Sequence, residues 1–438
     1  MARPGRAAEQ RPADPRGLRR IRRRAALRSR SAQRPGEQGL RMPGDPPRGE
    51  EPARLQAVRQ PLQPGQSARL VHGFLRGRLR RLVRLRPPAP GRRGGGPMSR
   101  LDLRNGSVEM VHGSGGRAMG QLIEELFARA LRNEWLDQRN DQAQFELPPG
   151  RVVMATDSHV ISPLFFPGGD IGSLAVHGTI NDVAMAGARP CYLAAGFILE
   201  EGFPLADLAR IVESMAAAAR EAGVPVVTGD TKVVEHGKGD GVFITTTGVG
   251  VVPPGLHLSG DQARPGDRIL LSGSIGDHGV TILSLREGLG FEADIGSDSQ
   301  ALHGLVAAML AAVPEIRCLR DPTRGGLGNT LNELARQSGV GMQLVERAIP
   351  VREPVRAACE FLGLDPLYVA NEGKLIAICP AERAERLLEA MRAHPQGREA
   401  AIIGTVVADE HRFVQMETPF GGSRMVDWLS GEQLPRIC

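Results

Sequence analysis

From Arg151 onwards the apolar residues fall into short runs that alternate with stretches of helical spacing, which predicts an α/β chain. Arg151-Val152-Val153-Met154-Ala155-Thr156-Asp157 predicts a buried strand that ends in a carboxylate, and Val224-Pro225-Val226-Val227-Thr228-Gly229-Asp230 repeats the arrangement. Between them, Gly172 to Gly187 has Ile180, Val183, Ala184 and Gly187 on one helical face, and Leu205 to Ala222 predicts a second, Ala-rich helix. After Pro253-Pro254 and the turn Arg264-Pro265-Gly266-Asp267, the strand Arg268-Ile269-Leu270-Leu271-Ser272-Gly273 opens a second α/β region running to about Val414. Thr179-Ile180-Asn181-Asp182-Val183-Ala184 is echoed by Thr330-Leu331-Asn332-Glu333-Leu334-Ala335, a short hint of related halves.

Composition breaks at Met98. Residues 1–97 hold 25 Arg, no Lys and 6 acidic residues, a net charge of +19, with many Pro and Gly and no sustained apolar periodicity. Such a segment cannot bury a core. It reads as a solvated basic arm, an Arg-rich targeting peptide, or upstream sequence translated from a start placed too early; the last reading is adopted, because Met98-Ser99-Arg100-Leu101 opens the globular pattern at once. The remaining residues carry a net charge of −13, so the basic overall balance describes the extension and gives no ground for nucleic-acid binding by the body. No stretch reaches the roughly 18 apolar residues of a membrane span. Cys191, Cys318, Cys359, Cys379 and Cys438 form no CxxC pair, as expected of reduced thiols in the cytoplasm. The organisation expected is an extension over 1–97, a first α/β domain over 98–260, a second domain over 261–416, and a mobile tail over 417–438 that contains two Pro and three Gly and ends in a thiol.

Chemistry concentrates in Gly and Asp. His112-Gly113-Ser114-Gly115-Gly116 and Phe166-Pro167-Gly168-Gly169-Asp170-Ile171-Gly172 precede helical patterns and offer bare backbone N–H groups to a phosphate, although neither matches a P-loop or dinucleotide fingerprint. Asp157, Asp182 and Asp230 are hard oxygen ligands of the kind Mg²⁺ uses while holding nucleotide phosphates. Lysine is scarce: of 55 basic residues only Lys232, Lys238 and Lys374 are Lys. Two of these stand in the dense motifs Thr228-Gly229-Asp230-Thr231-Lys232 and Asn371-Glu372-Gly373-Lys374, where a compact ammonium with a shiftable pKa serves as guanidinium does not. His159, His177 and His278 read as satisfied structural histidines, and no HExxH or paired Cys argues for zinc.

The ordered motifs resemble one family over residues 105–438. They are His112–Gly116, Thr156-Asp157-Ser158, Phe165–Gly172, Gly178–Asp182, Gly229-Asp230-Thr231-Lys232-Val233-Val234, Gly276-Asp277-His278-Gly279, Arg320-Asp321-Pro322-Thr323-Arg324-Gly325-Gly326, Asn371–Lys374 and the terminal Pro435-Arg436-Ile437-Cys438. The resemblance is to the hydrogenase-maturation carbamoyl dehydratases, within the aminoimidazole-ribonucleotide-synthetase-like (PurM-like) ATP-binding superfamily. It implies a two-domain PurM-like fold that is a homodimer. It also implies ATP-driven dehydration of a carbamoyl group on Cys438 to a thiocyanate, the cyanide being destined for the iron of a hydrogenase. Gly113, Gly115, Gly116, Asp157, Gly169, Asp182, Asp230 and Lys374 are implied at the ATP, with Asp157, Asp182 and Asp230 on Mg²⁺. Lys232 and Glu372 are implied near the reacting group. A HypF-like carbamoyltransferase and a HypC–HypD-like iron scaffold are the implied partners, with no membrane or nucleic acid. A selenophosphate synthetase or thiamine-phosphate kinase would share the Asp/Gly site but needs no terminal Cys, and a scaffold binding nucleic acid through the basic arm would need none of the body's motifs.

Overall fold

The computed structural model describes residues 100–288, 295–431 and 436–438; the basic extension over 1–97 and Pro435 lie outside them. The described chain is built on two main sheets. The first has the order β1-β4-β2-β3, formed by β1 (Arg151–His159), β2 (Arg189–Glu200), β3 (Val226–Val234) and β4 (Val242–Val252), with β2 and β3 parallel and the other pairs antiparallel. Two helices cover one face, α1 (Ile171–Met185) and α2 (Leu205–Ala222). The start of α1 is fixed by Asp170, whose Oδ1 accepts from Gly172 N at 2.7 Å and Ser173 N at 3.1 Å, while Ser173 Oγ accepts from Asp170 N. A Cβ on Gly172 would stand 2.2 Å from Ile211 O, so only glycine lets α1 and α2 approach this closely. On α2, Leu205, Leu208, Ile211, Val212 and Met215 recur at helical spacing and are buried, each contributing on the order of 1.5–3 kcal/mol.

The second sheet has seven strands in the order β11-β10-β7-β9-β5-β8-β6. These are β5 (Arg268–Leu271), β6 (Cys318–Arg320), β7 (Gly341–Val345), β8 (Ile376–Cys379), β9 (Ala401–Val407), β10 (Val414–Glu417) and β11 (Ser423–Met425). Its helices are α3 (Asp277–Glu287), α4 (His303–Ala312), α5 (Gly326–Ser338), α6 (Glu353–Leu362) and α7 (Ala384–Ala393). After the exposed Arg268, β5 is apolar because both its faces are covered: Ile269 and Leu271 join a cluster with Leu327, Leu331 and Leu334 of α5, and Leu270 joins one with α4 and α7. That second cluster also takes in Ala184 and Met185 of α1, so the first half's helix is anchored in the second half's core. The sequence echo falls on α1 and α5, whose Asn side chains make matching long-range ties: Asn181 Nδ2 donates to Gln300 O, and Asn332 Nδ2 donates to Val426 O.

The tail departs from the mobile arm expected over 417–438. Gly421 and Gly422, which suggested looseness, form the turn of a hairpin. Gly421 has φ +83°, Thr418 N donates to Gly422 O at 2.7 Å, and β11 pairs with β10. Val426 is buried, and Ile437 enters the apolar core of the first half. No helix of the described residues is long and apolar enough to cross a membrane.

Candidate functional site

Strand phase decides which expected residues meet. Along β1, Val152, Met154, Thr156 and Ser158 point to the open face of the first sheet, while Val153, Ala155, Asp157 and His159 point to the helices. Asp157 stands opposite Thr246, whose hydroxyl bonds Thr179 of α1 at 2.6 Å. Asp230 belongs to the row Ser158, Thr245, Gly196, Asp230, and so faces the open side. β1 and β3 are moreover the two edges of the sheet, three strand spacings or about 14 Å apart. The expected triad Asp157, Asp182 and Asp230 therefore does not converge within one chain, and among the described residues no three metal-ligating side chains surround a common point.

One group gathers at the β1 edge. Asn181 fixes it by donating through Nδ2 to Gln300 O and Glu372 O and by accepting Leu302 N at 2.7 Å, which sets α1 against the second half. Asn371 does the same from the other side: its Oδ1 accepts Gly276 N and its Nδ2 donates to Pro322 O, both at 2.8 Å. These ties place Asp157, Asp182, Asp321 and Glu372 within one electrostatic neighbourhood. Burial, reinforced by Asp321 and Asp157, pushes the Asp182 carboxyl up to about 7. Burial likewise raises Asp321 to about 6. Glu372 is held well above the usual carboxylate range by burial and by Asp298, Asp321, Asp157 and Asp182; its Oε1 is buried with no hydrogen-bond partner. A cavity of about 440 Å³ opens here, lined in part by Ala155, Asp182, Arg320 and Asp321.

Lys374 is at this edge but is not offered to a ligand. Its Nζ pairs with Asp298 Oδ2 at 2.9 Å, both side chains buried, and Asp298 Oδ1 accepts Glu372 N at 3.1 Å. Burial would raise the Asp298 carboxyl, but Lys374 and His278 outweigh it and hold it below its ordinary value. The pair braces the loop that carries Glu372.

The chain terminus is seated in this site. Cys438 O accepts Val160 N at 2.9 Å, Ile437 O accepts His278 Nε2 at 2.8 Å, and Arg436 Nε donates to Val160 O at 2.9 Å. The thiol is half-buried in the field of Glu372 and Asp157, with the exposed cation Arg324 the opposing charge. Burial, then those two carboxyls, push it up to about 12, so the seated sulfur is a protonated thiol.

A second group stands at the β3 edge. Lys232 Nζ pairs with Asp230 Oδ2 at 2.8 Å, both well exposed on the open face. Gly113 lies against β3, where a Cβ would meet Val233 Cβ at 2.8 Å; Gly115 and Gly116 face open space, with Gly116 capping the short helix Arg117–Leu122. Gly169 belongs to neither group. It sits in the two-residue hairpin Phe165–Phe166/Gly169–Asp170, and the adjoining Gly168, at φ +90°, packs on Ser297, whose N donates to Pro167 O at 2.8 Å. In this state the second glycine loop is occupied by the protein's own chain.

Sequence reasoning missed four members of the β1-edge group. Asp321 and Arg324 stood in a motif that carried the resemblance without a role, and their neighbours of opposite charge were the available signal. Asp298, in Ser297-Asp298-Ser299, has no local signature. His278, read as a satisfied structural residue, has both ring nitrogens bonded, Nδ1 to Ser297 Oγ at 2.7 Å and Nε2 to the tail.

Similarity to known proteins agrees with this architecture. Residues 139–252 match the family described as AIR synthase related protein, N-terminal domain, and residues 264–417 its C-terminal domain. The chain is 95% identical over 341 residues to a hydrogenase expression/formation protein HupE of Azotobacter chroococcum mcd 1, covering 78% of this chain and 100% of that protein. It is 72% identical over 339 residues to a carbamoyl dehydratase HypE of Cupriavidus necator, covering 77% and 97%. Among solved structures, hydrogenase maturation protein HypE in complex with ATP superposes with a TM-score of 0.73 at 55% identity, covering 75% of this chain and 99% of that one. A HypE–HypF complex gives 0.63 at 49%, covering 70% and 99%.

Proposed function

Because this chain belongs to the HypE family of AIR-synthase-related hydrogenase maturation proteins, we propose that it uses ATP to dehydrate a carbamoyl group carried on Cys438 to a thiocyanate. The observation that carries the reading is the seating of the terminal thiol beside a buried, unpartnered carboxyl, Glu372, that lies in the field of Asp157, Asp182 and Asp321. In the reaction the thiocarbamate oxygen attacks the γ-phosphorus of ATP and ADP leaves. The nitrogen gives up one proton as the C=N bond forms and a second as the C–O bond breaks, so the sulfur retains C≡N and phosphate departs. An amide oxygen leaves only once phosphorylated, which is why the site needs cationic and hydrogen-bonding groups at the phosphate.

Glu372 is the base. Burial and the neighbouring carboxylates raise its proton affinity well above that of an ordinary carboxylate, and its free Oε1 is the atom that takes the nitrogen proton. Arg324, an exposed cation in the field of Asp182 and Cys438, would meet the phosphoryl oxygens. The donor set suits Mg²⁺: burial raises Asp182 to about 7 and Asp321 to about 6, a cation there would favour their charged forms, and a divalent ion that keeps water and phosphate ligands needs only one or two carboxylates. When bound, such an ion neutralises phosphate charge. A thiol with its pKa near 12 is a poor nucleophile, so carbamoylation by a HypF-like partner takes place with the tail unseated, where the thiolate is accessible. Cyanide then passes to iron on a HypC–HypD-like scaffold in the cytoplasm.

Asp230, Lys232 and Gly113–Gly116 enter the reaction through a second copy. The open face of the first sheet exposes Val152 by 60%, Met154 by 71% and Ile198 by 43%, an apolar surface suited to a homodimer, and Asp230 and Lys232 stand on that face. The test is intact-mass analysis in a single turnover. Protein carbamoylated on Cys438 and given ATP should lose the mass of one water, while carbamoylated Glu372→Gln should bind ATP and keep its carbamoyl group. A Glu372→Gln enzyme as fast as wild type would remove Glu372 from the role of base.

A further inference from the structure

We infer that His278 is the positioning residue that latches the tail, and that the segment Ser297–Asp298 transmits the latched state to Glu372. Ile437 O can only accept, so His278 Nε2 carries the proton; the neutral ring's Nδ1 then accepts from Ser297 Oγ, which itself accepts Ser299 N at 3.1 Å. The next residue, Asp298, holds Glu372 N through Oδ1 and Lys374 Nζ through Oδ2. Two sets of hydrogen bonds, joined by the peptide bond between Ser297 and Asp298, thus connect the backbone of the penultimate residue to the backbone of the base. The ring is oriented on a further side by Phe166, edge-on at 5.7 Å between centroids. Arg286, on the same helix as His278, adds bonds to Ser162 O and Arg436 O. His278, Arg286 and the Val160 N–H hold the tail through its backbone carbonyls, while the side chains of Arg436 and Ile437 add their own contacts, so the latch reads position and leaves the sulfur free to carry different groups.

The inference rests on the proposed dehydration only for its catalytic consequence; the latch itself is read without any turnover. In His278→Leu, the rate of Cys438 alkylation by iodoacetamide, followed by intact mass, should rise about tenfold, as expected when a buried bond to a carbonyl is lost. Carbamoylation by the partner transferase, which also uses the unseated thiol, should not slow and ATP affinity should stay unchanged, while single-turnover dehydration slows by a similar factor. Ser297→Ala, which keeps the ring but removes its tautomer lock, should shift both rates in the same direction by less, and serves if the buried His278 variant fails to fold. Unchanged alkylation in a folded His278→Leu, or in Ser297→Ala if that is the variant that folds, overturns the latch. Faster alkylation with normal dehydration overturns the link to Glu372. A wild-type protein that is protected from alkylation but never dehydrates leaves the latch standing and removes the proposed reaction instead.

Discussion

The two edges of the first sheet began with the same sequence pattern, a short apolar strand running into an aspartate, and they have opposite fates. At the β1 edge Asp157 falls on the helix-facing phase and joins Asp182, Asp321, Glu372 and the seated thiol. At the β3 edge Asp230 falls on the other phase and pairs with Lys232 on an open face. The difference is one residue of register, and in a strand that reverses the side chain's direction. A site built from both edges therefore needs either a second chain or a large rearrangement of this one, and the dimer reading selects the former.

The most drastic way to test the division is to remove the group that only the β1 edge receives. Cys438→Ala should bind nucleotide normally and form no thiocyanate, since no carbamoyl acceptor remains; product from this variant by mass analysis would place the chemistry elsewhere. Asp182→Asn should weaken nucleotide binding by at least about tenfold, roughly 1.4 kcal/mol by calorimetry, while Cys438 still accepts its carbamoyl group. Unchanged affinity would make Asp182 structural.

Mixing Asp182→Asn with Asp230→Asn separates the two explanations of the split. If each site takes one edge from each copy, mixed dimers contain one intact site, and equal mixing with subunit exchange should restore roughly a quarter of wild-type turnover. No recovery despite exchange would show that both edges of one chain serve the same site.

A gentler measurement addresses the crowding of carboxyls at the β1 edge. Asp182 and Asp321 have folded-state values of about 7 and about 6, above the ordinary 3.8 of the unfolded chain. Between those limits the unfolded state has released protons that the folded state keeps, so stability of the nucleotide-free protein falls as pH rises. The fall runs from about 4 to 7 for Asp182 and to 6 for Asp321, up to about 1.4 kcal/mol per unit for each, and is flat above. Urea titrations from pH 5 to 8 should show this slope, reduced in Asp182→Asn, whose midpoint at pH 8 should exceed wild type's; an upward slope would contradict the assignment. The smallest effect is expected from removing residues 1–97, which should leave ATP turnover unchanged; a large loss would make the basic segment part of the enzyme.

Much of the site could be read from the chain before any coordinates. Asn181-Asp182, Asn371-Glu372-Gly373-Lys374 and the terminal Cys438 were singled out by motif, and the β1 edge brings all of them together. What each does was less legible. Lys374 looked like a phosphate ligand because lysine is rare here, yet its charge is spent on a buried aspartate, Asp298, that has no sequence signature at all. Gly421-Gly422 looked like slack and form a hairpin turn. Gly169 looked like a phosphate loop, and its neighbour Gly168 abuts Ser297.

Local periodicity and motif chemistry were enough to determine the alternating elements and the family and to single out the terminal thiol, because these depend on residues close in sequence or on residue type alone. Which carboxyls share a field was decided only by the tertiary structure. Asp157, Asp182, Asp298, Asp321 and Glu372 come from five separate segments, and the raised proton affinities of Asp182, Asp321 and Glu372 arise from burial and neighbouring carboxylates that come together only once Asn181 and Asn371 have tied those segments together. The same holds for the tail: composition marks it as free to move, but whether Ile437 finds a core and a donating imidazole depends on a pocket assembled from both halves of the chain.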